Sequence, residues 1–166
     1  MPRPSHAVAP GPGQVSVWDF PRPPRIEPVE ERVRIELGGV TIAETDRALR
    51  VCETASPPTY YIPREDISAD ALVPAPGGSW CEWKGRAVYW TVRGGGREAA
   101  GAAWSYPSPA PAFAALGNHV AFYAGPMDAC WVGRHRVVPQ PGAFYGGWIT
   151  PDLVGPFKGE PGTGHW

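Results

Sequence analysis

Prolines and glycines interrupt this chain so often that no long helix fits between them. The 166 residues include 22 prolines and 21 glycines. Proline lacks a backbone donor and glycine weakens regular elements, so both residue types favour turns between short segments. Residues 64–72 and 110–116 are the two stretches with room for a short helix. We therefore expect a mainly β fold.

A period of two in side-chain polarity predicts where the strands lie. Apolar and charged residues alternate over residues 33–37, and the alternation resumes after Gly38-Gly39, which tolerates the positive φ angles of a hairpin turn. A third strand over residues 49–51 places the Glu53 carboxylate at its end, pointing inward with the apolar side chains. Eight or nine such strands predict a compact antiparallel barrel or a bent two-sheet sandwich. The further strands are expected at residues 59–62, 79–83, 87–92, 102–106, 119–123 and 129–132.

The length of the chain suits one domain with two loop-like ends. Residues 1–31 are expected to be a Pro-rich N-terminal arm that acts as a linker, a strap or a ligand for a proline-recognising domain. Residues 32–138 carry the strand pattern and predict the β domain. Residues 139–166 form a C-terminal extension that includes Phe144 and Trp166 and is too apolar to stay free. We expect this extension to wrap the domain.

Charge and composition narrow the classes of partner. The formal net charge is −1, without long runs of like charge, which argues against nucleic acid as a partner. No apolar run approaches the ~20 residues that span a bilayer, and the start lacks an export signal, so we expect a cytoplasmic protein without membrane contact. Three widely spaced cysteines favour reduced thiols. Isolated histidines and the lack of a phosphate-loop pattern predict no metal and no cofactor, and Gly94-Gly95-Gly96 is expected to be a hairpin turn.

The segment at residues 79–85 carries a thiol, a carboxylate and an amine within four positions. On a regular strand the Cys81 and Lys84 side chains point to opposite faces, unless the turn at Gly85 rotates Lys84. A thiol near an ammonium group is a better nucleophile, and a lysine desolvated among aromatic rings can act as a base or nucleophile. An inert buried cysteine beside a surface lysine is the structural alternative.

Aromatic residues are concentrated in the same central region. Tyr60 and Tyr61 are adjacent on one strand, so we expect one to face the core and the other the outside, where it can line a cleft. The eight tryptophans exceed what a core of this size needs, which favours a stacking surface for a planar or apolar ligand. A core filled by tryptophan is the alternative.

Four motifs follow one another along the chain: Glu53 with Tyr60-Tyr61-Ile62-Pro63, Ser79-x-Cys81-x-Trp83-Lys84-Gly85-x-Ala87-x-Tyr89-Trp90, Ala103-Trp104-x-Tyr106-Pro107 and Val120-Ala121-Phe122-Tyr123. Their order and spacing resemble the domain of unknown function 427 family (DUF427). The resemblance covers about residues 32–131, and the flanks look like the extensions of single-domain actinobacterial members. It implies a bacterial, mainly β, β-tent-like domain of strongly bent antiparallel sheets. Glu82 stands where the family often has proline, which puts the local turn and the role of Lys84 in question.

These residues lead to one main hypothesis, a small-molecule-binding domain or enzyme with an aromatic-walled cleft. If it is an enzyme, Glu53 is the general acid or base, and Cys81 or Lys84 is the nucleophile or the anchor for an anionic group. A non-catalytic protein-interaction domain is the first alternative, and a nucleotidyltransferase-like activity, a label sometimes given to the family, is the second. The residues lack the spaced aspartates that hold Mg²⁺ in such enzymes. The expected wall is Tyr61, Tyr89, Trp104 and Tyr106, and the expected polar floor is Glu53, Cys81 and Lys84.

Overall fold

In the computed structural model, which describes residues 3–142 and 145–160, fifteen short strands carry most of the regular structure. The prediction of a mainly β fold is confirmed. The strands are β1 (Val15–Ser16), β2 (Arg25–Pro28), β3 (Val33–Leu37), β4 (Val40–Thr45), β5 (Leu49–Cys52), β6 (Thr59–Pro63), β7 (Leu72–Cys81), β8 (Gly85–Gly94), β9 (Arg97–Ser105), β10 (His119–Phe122), β11 (Ala129–Val132), β12 (His135–Arg136), β13 (Val138–Pro139), β14 (Trp148–Ile149) and β15 (Leu153–Val154).

Helical structure is limited to short 3-10 segments in the part of the chain that is described. The two stretches expected to be helical contain such segments at Arg64–Asp66, Ala69–Ala71 and Pro111–Leu116, and another spans Val17–Asp19. None of these helices is long and apolar enough to cross a membrane.

Two open antiparallel sheets form the body of the protein. The larger has seven strands in the order β2-β5-β6-β10-β9-β8-β7, and the smaller has four in the order β12-β11-β3-β4. The main core contains side chains of both sheets, with Ile35 of β3, Ile62 of β6 and Phe122 of β10 all fully buried. Within the described residues neither sheet closes on itself, so the sandwich is confirmed over the barrel.

Two glycine turns meet where the sheets come together. Gly38 and Gly39 connect β3 to β4 with φ angles of 63° and 80°, and Gly95 and Gly96 connect β8 to β9 with φ angles of 53° and 79°. Both hairpins were expected from the sequence and are confirmed. A Cβ atom added at Gly38 would overlap the carbonyl oxygen of Gly94, and one added at Gly95 would overlap that of Gly38. The backbones therefore touch at a distance that only glycine permits.

Strand β7 differs most from its predicted bounds. The sequence predicted a strand at residues 79–83, whereas β7 begins at Leu72 and ends at Cys81. Its first half contains Pro74 and Pro76, and no strand was predicted over residues 73–78. Proline is tolerated here because β7 is an edge strand, and its register with β8 shifts between Pro74 and Gly78, as at a β-bulge.

The described parts of the N-terminal arm and of the C-terminal extension pack against the body. In the N-terminal arm, β2 pairs with β5 at the edge of the larger sheet, and β1 pairs in parallel with β15 of the C-terminal extension. In that extension, Trp148 is fully buried, stacks on Tyr60 with ring centroids 5.0 Å apart, and donates its indole N–H to the carbonyl of Phe122 at 2.9 Å. The described part of the extension therefore contributes to the main core. Phe144 and Trp166 lie outside the described residues.

Candidate functional site

A cavity of about 260 Å³ lies on the face of the larger sheet that points away from the main core. Alternation along β6 explains its position, because Tyr60 faces the main core and Tyr61 faces the cavity side. The opposite orientation of the two tyrosines is as expected, but the expectation that one of them faces outside is wrong. Tyr60 is 3% exposed and Tyr61 is 1% exposed, because a second apolar cluster covers the other face of the sheet.

The aromatic wall is a row of directly paired residues across neighbouring strands. Tyr61 of β6 pairs with Ala121 of β10, Ala121 pairs with Trp104 of β9, and Trp104 pairs with Tyr89 of β8. Paired residues project from the same face of a sheet, so three aromatic side chains and the Ala121 methyl group share one row. Ala121 is fully buried and belongs to the same apolar cluster. Tyr106 follows Trp104 by two residues and joins the same cluster.

Ring contacts and burial stiffen this wall. The rings of Tyr61 and Tyr106 are tilted by 44° with centroids 6.4 Å apart, and those of Trp104 and Tyr123 are tilted by 47° at 4.6 Å. Burial raises the pKa of the Tyr61 hydroxyl well above its ordinary value and also raises the pKa of Tyr106. Both phenols are therefore neutral at physiological pH and act as hydrogen-bonding groups, not as bases.

The hairpin between β7 and β8 brings the Cys81 thiol and the Lys84 amine to the same cavity. Cys81 pairs with Gly85, residues 82–84 form the turn, and Gly85 has a φ of 103°. This turn rotates Lys84 so that it lines the cavity together with Cys81. Lys84 is 9% exposed, and its Nζ lies 5.8 Å from the centroid of the Tyr106 ring. The rotation that the sequence left open is therefore present, although Glu82 occupies the first position of the turn.

Glu53 reaches the cavity from the turn that follows β5. The Ser56 N–H donates to the Glu53 carbonyl at 3.1 Å, and Ala55 in the same turn has a φ of 73°. The Glu53 side chain is half-buried, lines the cavity and forms no ion pair with any described residue. The structure thus brings all seven predicted site residues to one cavity. They are Glu53, Tyr61, Cys81, Lys84, Tyr89, Trp104 and Tyr106.

The C-terminal extension supplies a part of the cavity wall that was not predicted from the sequence. Gln140 is buried and uses both ends of its amide: Nε2 donates to the Lys158 carbonyl at 2.7 Å, and Oε1 accepts from the Gly147 N–H at 3.0 Å. The extension thereby holds Tyr145, Gly146 and Lys158 against the cavity. One signal was available, since Lys84 and Lys158 are the only lysines in the sequence.

Residues 25–133, well over half of the chain, match the family described as a domain of unknown function, DUF427. The chain belongs to the DUF427 family. The resemblance drawn from the sequence motifs is confirmed. No curated protein matches the chain.

The DUF427 match ends before the extension begins to contribute to the cavity. Glu53, Cys81, Lys84 and the aromatic wall fall inside residues 25–133, whereas Gln140 and Lys158 fall outside. The cavity of this DUF427 protein is thus built from the family domain plus its own C-terminal extension. Among the residues described, no group of three or more His, Cys, Asp or Glu side chains is arranged to hold a metal ion.

Cys81 is expected to be the one thiol of the native protein that reacts with a thiol reagent. Cys52 and Cys130 are 0% and 2% exposed, and burial raises the pKa of Cys52 to about 12 and also raises that of Cys130. Cys81 is half-buried and lines the cavity. Titration with Ellman's reagent should detect one thiol in the folded unsubstituted protein and none in folded Cys81→Ser. In denaturant, the unsubstituted protein should show three. Two or three reactive thiols without denaturant would contradict the burial described here.

Proposed function

We propose that this DUF427 domain binds a small planar molecule in the aromatic-walled cavity. The observation that carries the proposal is the convergence of an aromatic row, a carboxylate, a thiol and an amine on one concave site. Ligand sites are commonly apolar clefts with a few convergent polar groups. The volume of about 260 Å³ lies just below the range of about 300–1,000 Å³ for drug-sized ligands, which favours a ligand with one or two rings.

The same groups support a catalytic version of the proposal. Glu53 has no ion-pair partner among the described residues, which leaves its carboxylate available as a general acid or base. Cys81 and Lys84 lie on the same cavity wall and are the candidate nucleophiles, or Lys84 anchors an anionic group.

The interaction-domain alternative is less well supported. It requires several exposed aromatic side chains on a flat or convex patch. In the described part of the chain, Trp80 is the one aromatic residue that is largely exposed, with 76% of its surface accessible to solvent. It lines the rim of the cavity. A single tryptophan at a concave site favours a ligand-binding role over a protein interface.

We also propose that the protein works in a reducing compartment, with the cytoplasm as its location. Three cysteines are free, and two of them are buried in separate clusters. Such thiols are typical of proteins that are not exposed to oxidising conditions.

The Ser56→Trp variant tests the proposed binding site. Ser56 is half-buried and lines the cavity, but it is not part of the polar floor, so an indole at this position should fill the space without removing a candidate functional group. We expect planar fragments such as indole, phenol and benzoate to bind the unmodified protein, and to bind Ser56→Trp at least about tenfold more weakly, measured by saturation-transfer NMR. Ser5→Trp, at an exposed position in the N-terminal arm, is the matched control.

Two outcomes would overturn this proposal. Either none of the fragments binds the unmodified protein, or binding is equal in Ser56→Trp and in Ser5→Trp. Calorimetric titration with ATP and Mg²⁺ belongs to the same experiment, because heat of binding there would favour the nucleotidyltransferase-like alternative.

A further inference from the structure

The two lysines of the chain converge on the candidate site. Lys84 comes from the β7–β8 hairpin and Lys158 from the C-terminal extension, and both line the cavity. No arginine lines it, although arginine supplies all the other basic side chains apart from histidine. The cavity therefore contains the only primary amines that the side chains of this protein provide.

Neither amine is neutralised by the protein in the part of the chain described. Arginines elsewhere pair with carboxylates, for example Arg32 with Asp46 at 2.8 Å. In contrast, no described carboxylate lies within ion-pair distance of either lysine, and each lies over an aromatic ring. The Lys158 Nζ is 5.4 Å from the centroid of the Tyr145 ring, and Lys84 has the equivalent contact with Tyr106. A ring face holds a cation in place but leaves its N–H donors available to a ligand.

The position of Lys158 is fixed through its backbone. Its N–H donates to the Ala55 carbonyl at 2.8 Å, in the turn that presents Glu53, and its carbonyl accepts from Gln140. The first hydrogen bond connects the extension to the family domain, and the second lies within the extension itself. Together they fix the backbone from which the Lys158 side chain reaches the cavity.

We propose that Lys84 and Lys158 together bind the anionic group of a small aromatic anion, with its ring against the wall formed by Tyr61 and Trp104. The inference rests on the proposed function and specifies the ligand class. Lysine ammonium groups act as point charges with three donors each, so carboxylate and phosphate groups both suit the pair. Glu53 lines the same cavity and repels an anion, so the anionic group is expected to lie nearer to the two amines than to the Glu53 carboxylate.

The presence of only two lysines permits a direct test. Reductive methylation with ¹³C-formaldehyde keeps the positive charge and adds an NMR label to Lys84, Lys158 and the amino terminus only. The probes are benzoate, phenyl phosphate and phenol, which share a ring and differ in charge. We expect benzoate or phenyl phosphate to shift both dimethyl-lysine signals with a single affinity, and the tighter of the two identifies the anionic group. Phenol should bind at least about tenfold more weakly.

Substitution of the amines provides a second measurement. Lys84→Met and Lys158→Met should each weaken binding of the preferred anion about tenfold or more and leave the affinity for phenol unchanged. Lys158→Arg keeps the charge and should retain more of the affinity than Lys158→Met. Arg134→Met, at an exposed position outside the cavity, is the matched control.

The outcomes separate this inference from the proposed function. If phenol binds as well as benzoate and phenyl phosphate, and the lysine signals do not shift, the inference is wrong while the cavity remains a ligand site. If none of the three probes binds, the proposed function is contradicted as well. The labelled protein without lysine substitutions distinguishes these results, even if a lysine variant does not fold.

Discussion

Replacing Gly95 with alanine should lower the free energy of unfolding by ~3–5 kcal/mol. The added methyl group would overlap the carbonyl oxygen of Gly38, a backbone atom that cannot move without displacing the whole β3–β4 turn. The positive φ of 53° adds the cost of a left-handed conformation, about 1–2 kcal/mol for a residue with a Cβ atom. The reciprocal variant, Gly38→Ala, should cause a loss of similar size. Urea unfolding followed by tryptophan fluorescence measures both.

The neighbouring glycines separate the cost of steric overlap from the cost of the left-handed conformation. Gly39 and Gly96 also have positive φ angles, but no atom lies within 4 Å of a Cβ added to either. Gly39→Ala and Gly96→Ala should therefore show only the conformational cost, about 1–2 kcal/mol. Equal losses in all four variants would mean that the two turns do not touch.

These turns show what local sequence could and could not predict. Gly38-Gly39 and Gly94-Gly95-Gly96 were predicted to be hairpin turns, because a glycine turn needs only the residues within it and the strands on either side. Their contact with each other depends on how two sheets pack, which no local pattern encodes. Likewise, the seven site residues came from strand alternation and family motifs, but their joint placement on one cavity depends on the pairing of Tyr61, Ala121, Trp104 and Tyr89 across four strands.

The parts that sequence reasoning missed depend on long-range contacts. The first half of β7 contains prolines, and it is a strand only because it lies at a sheet edge where a missing donor is tolerated. The extension has no strand periodicity, and its role in the site depends on the Gln140 hydrogen bonds to residues 147 and 158. The presence of only two lysines is visible in the composition, but composition alone gives no reason to place both of them at one cavity.

The extension also determines how rigid the cavity can be. A Cβ atom added at Gly146 would overlap the Trp104 ring, and one added at Gly147 would lie 2.5 Å from Gln140 Oε1. Two residues without side chains thus let the extension approach both the aromatic wall and the amide that holds Lys158. Trp148 follows immediately and is buried in the main core. Because the anchor and the cavity wall are contiguous in sequence, loss of the anchor should loosen the wall.

The second large effect is therefore expected at Trp148. Trp148→Ala should destabilise the fold by ~3–5 kcal/mol, since it removes a fully buried indole that stacks on Tyr60. Trp148→Phe should retain part of the packing but leave the Phe122 carbonyl without its indole donor, at a cost of about 1–3 kcal/mol. Trp80→Ala makes the same substitution at a side chain that is 76% exposed, so it should change stability by less than about 0.5 kcal/mol.

Urea unfolding of these three variants, read by circular dichroism, tests whether the extension is part of the folded core. A second measurement, the rate of Cys81 modification by a thiol reagent, reports on the cavity itself. Trp148→Phe should still be folded without denaturant, yet Cys81 should react faster in it than in the unsubstituted protein, because the loosened extension no longer covers the cavity wall. Equal stability of Trp148→Ala and Trp80→Ala would show that residues 145–160 are not docked. Equal Cys81 reactivity in Trp148→Phe and in the unsubstituted protein would show that the family domain forms the cavity without the extension.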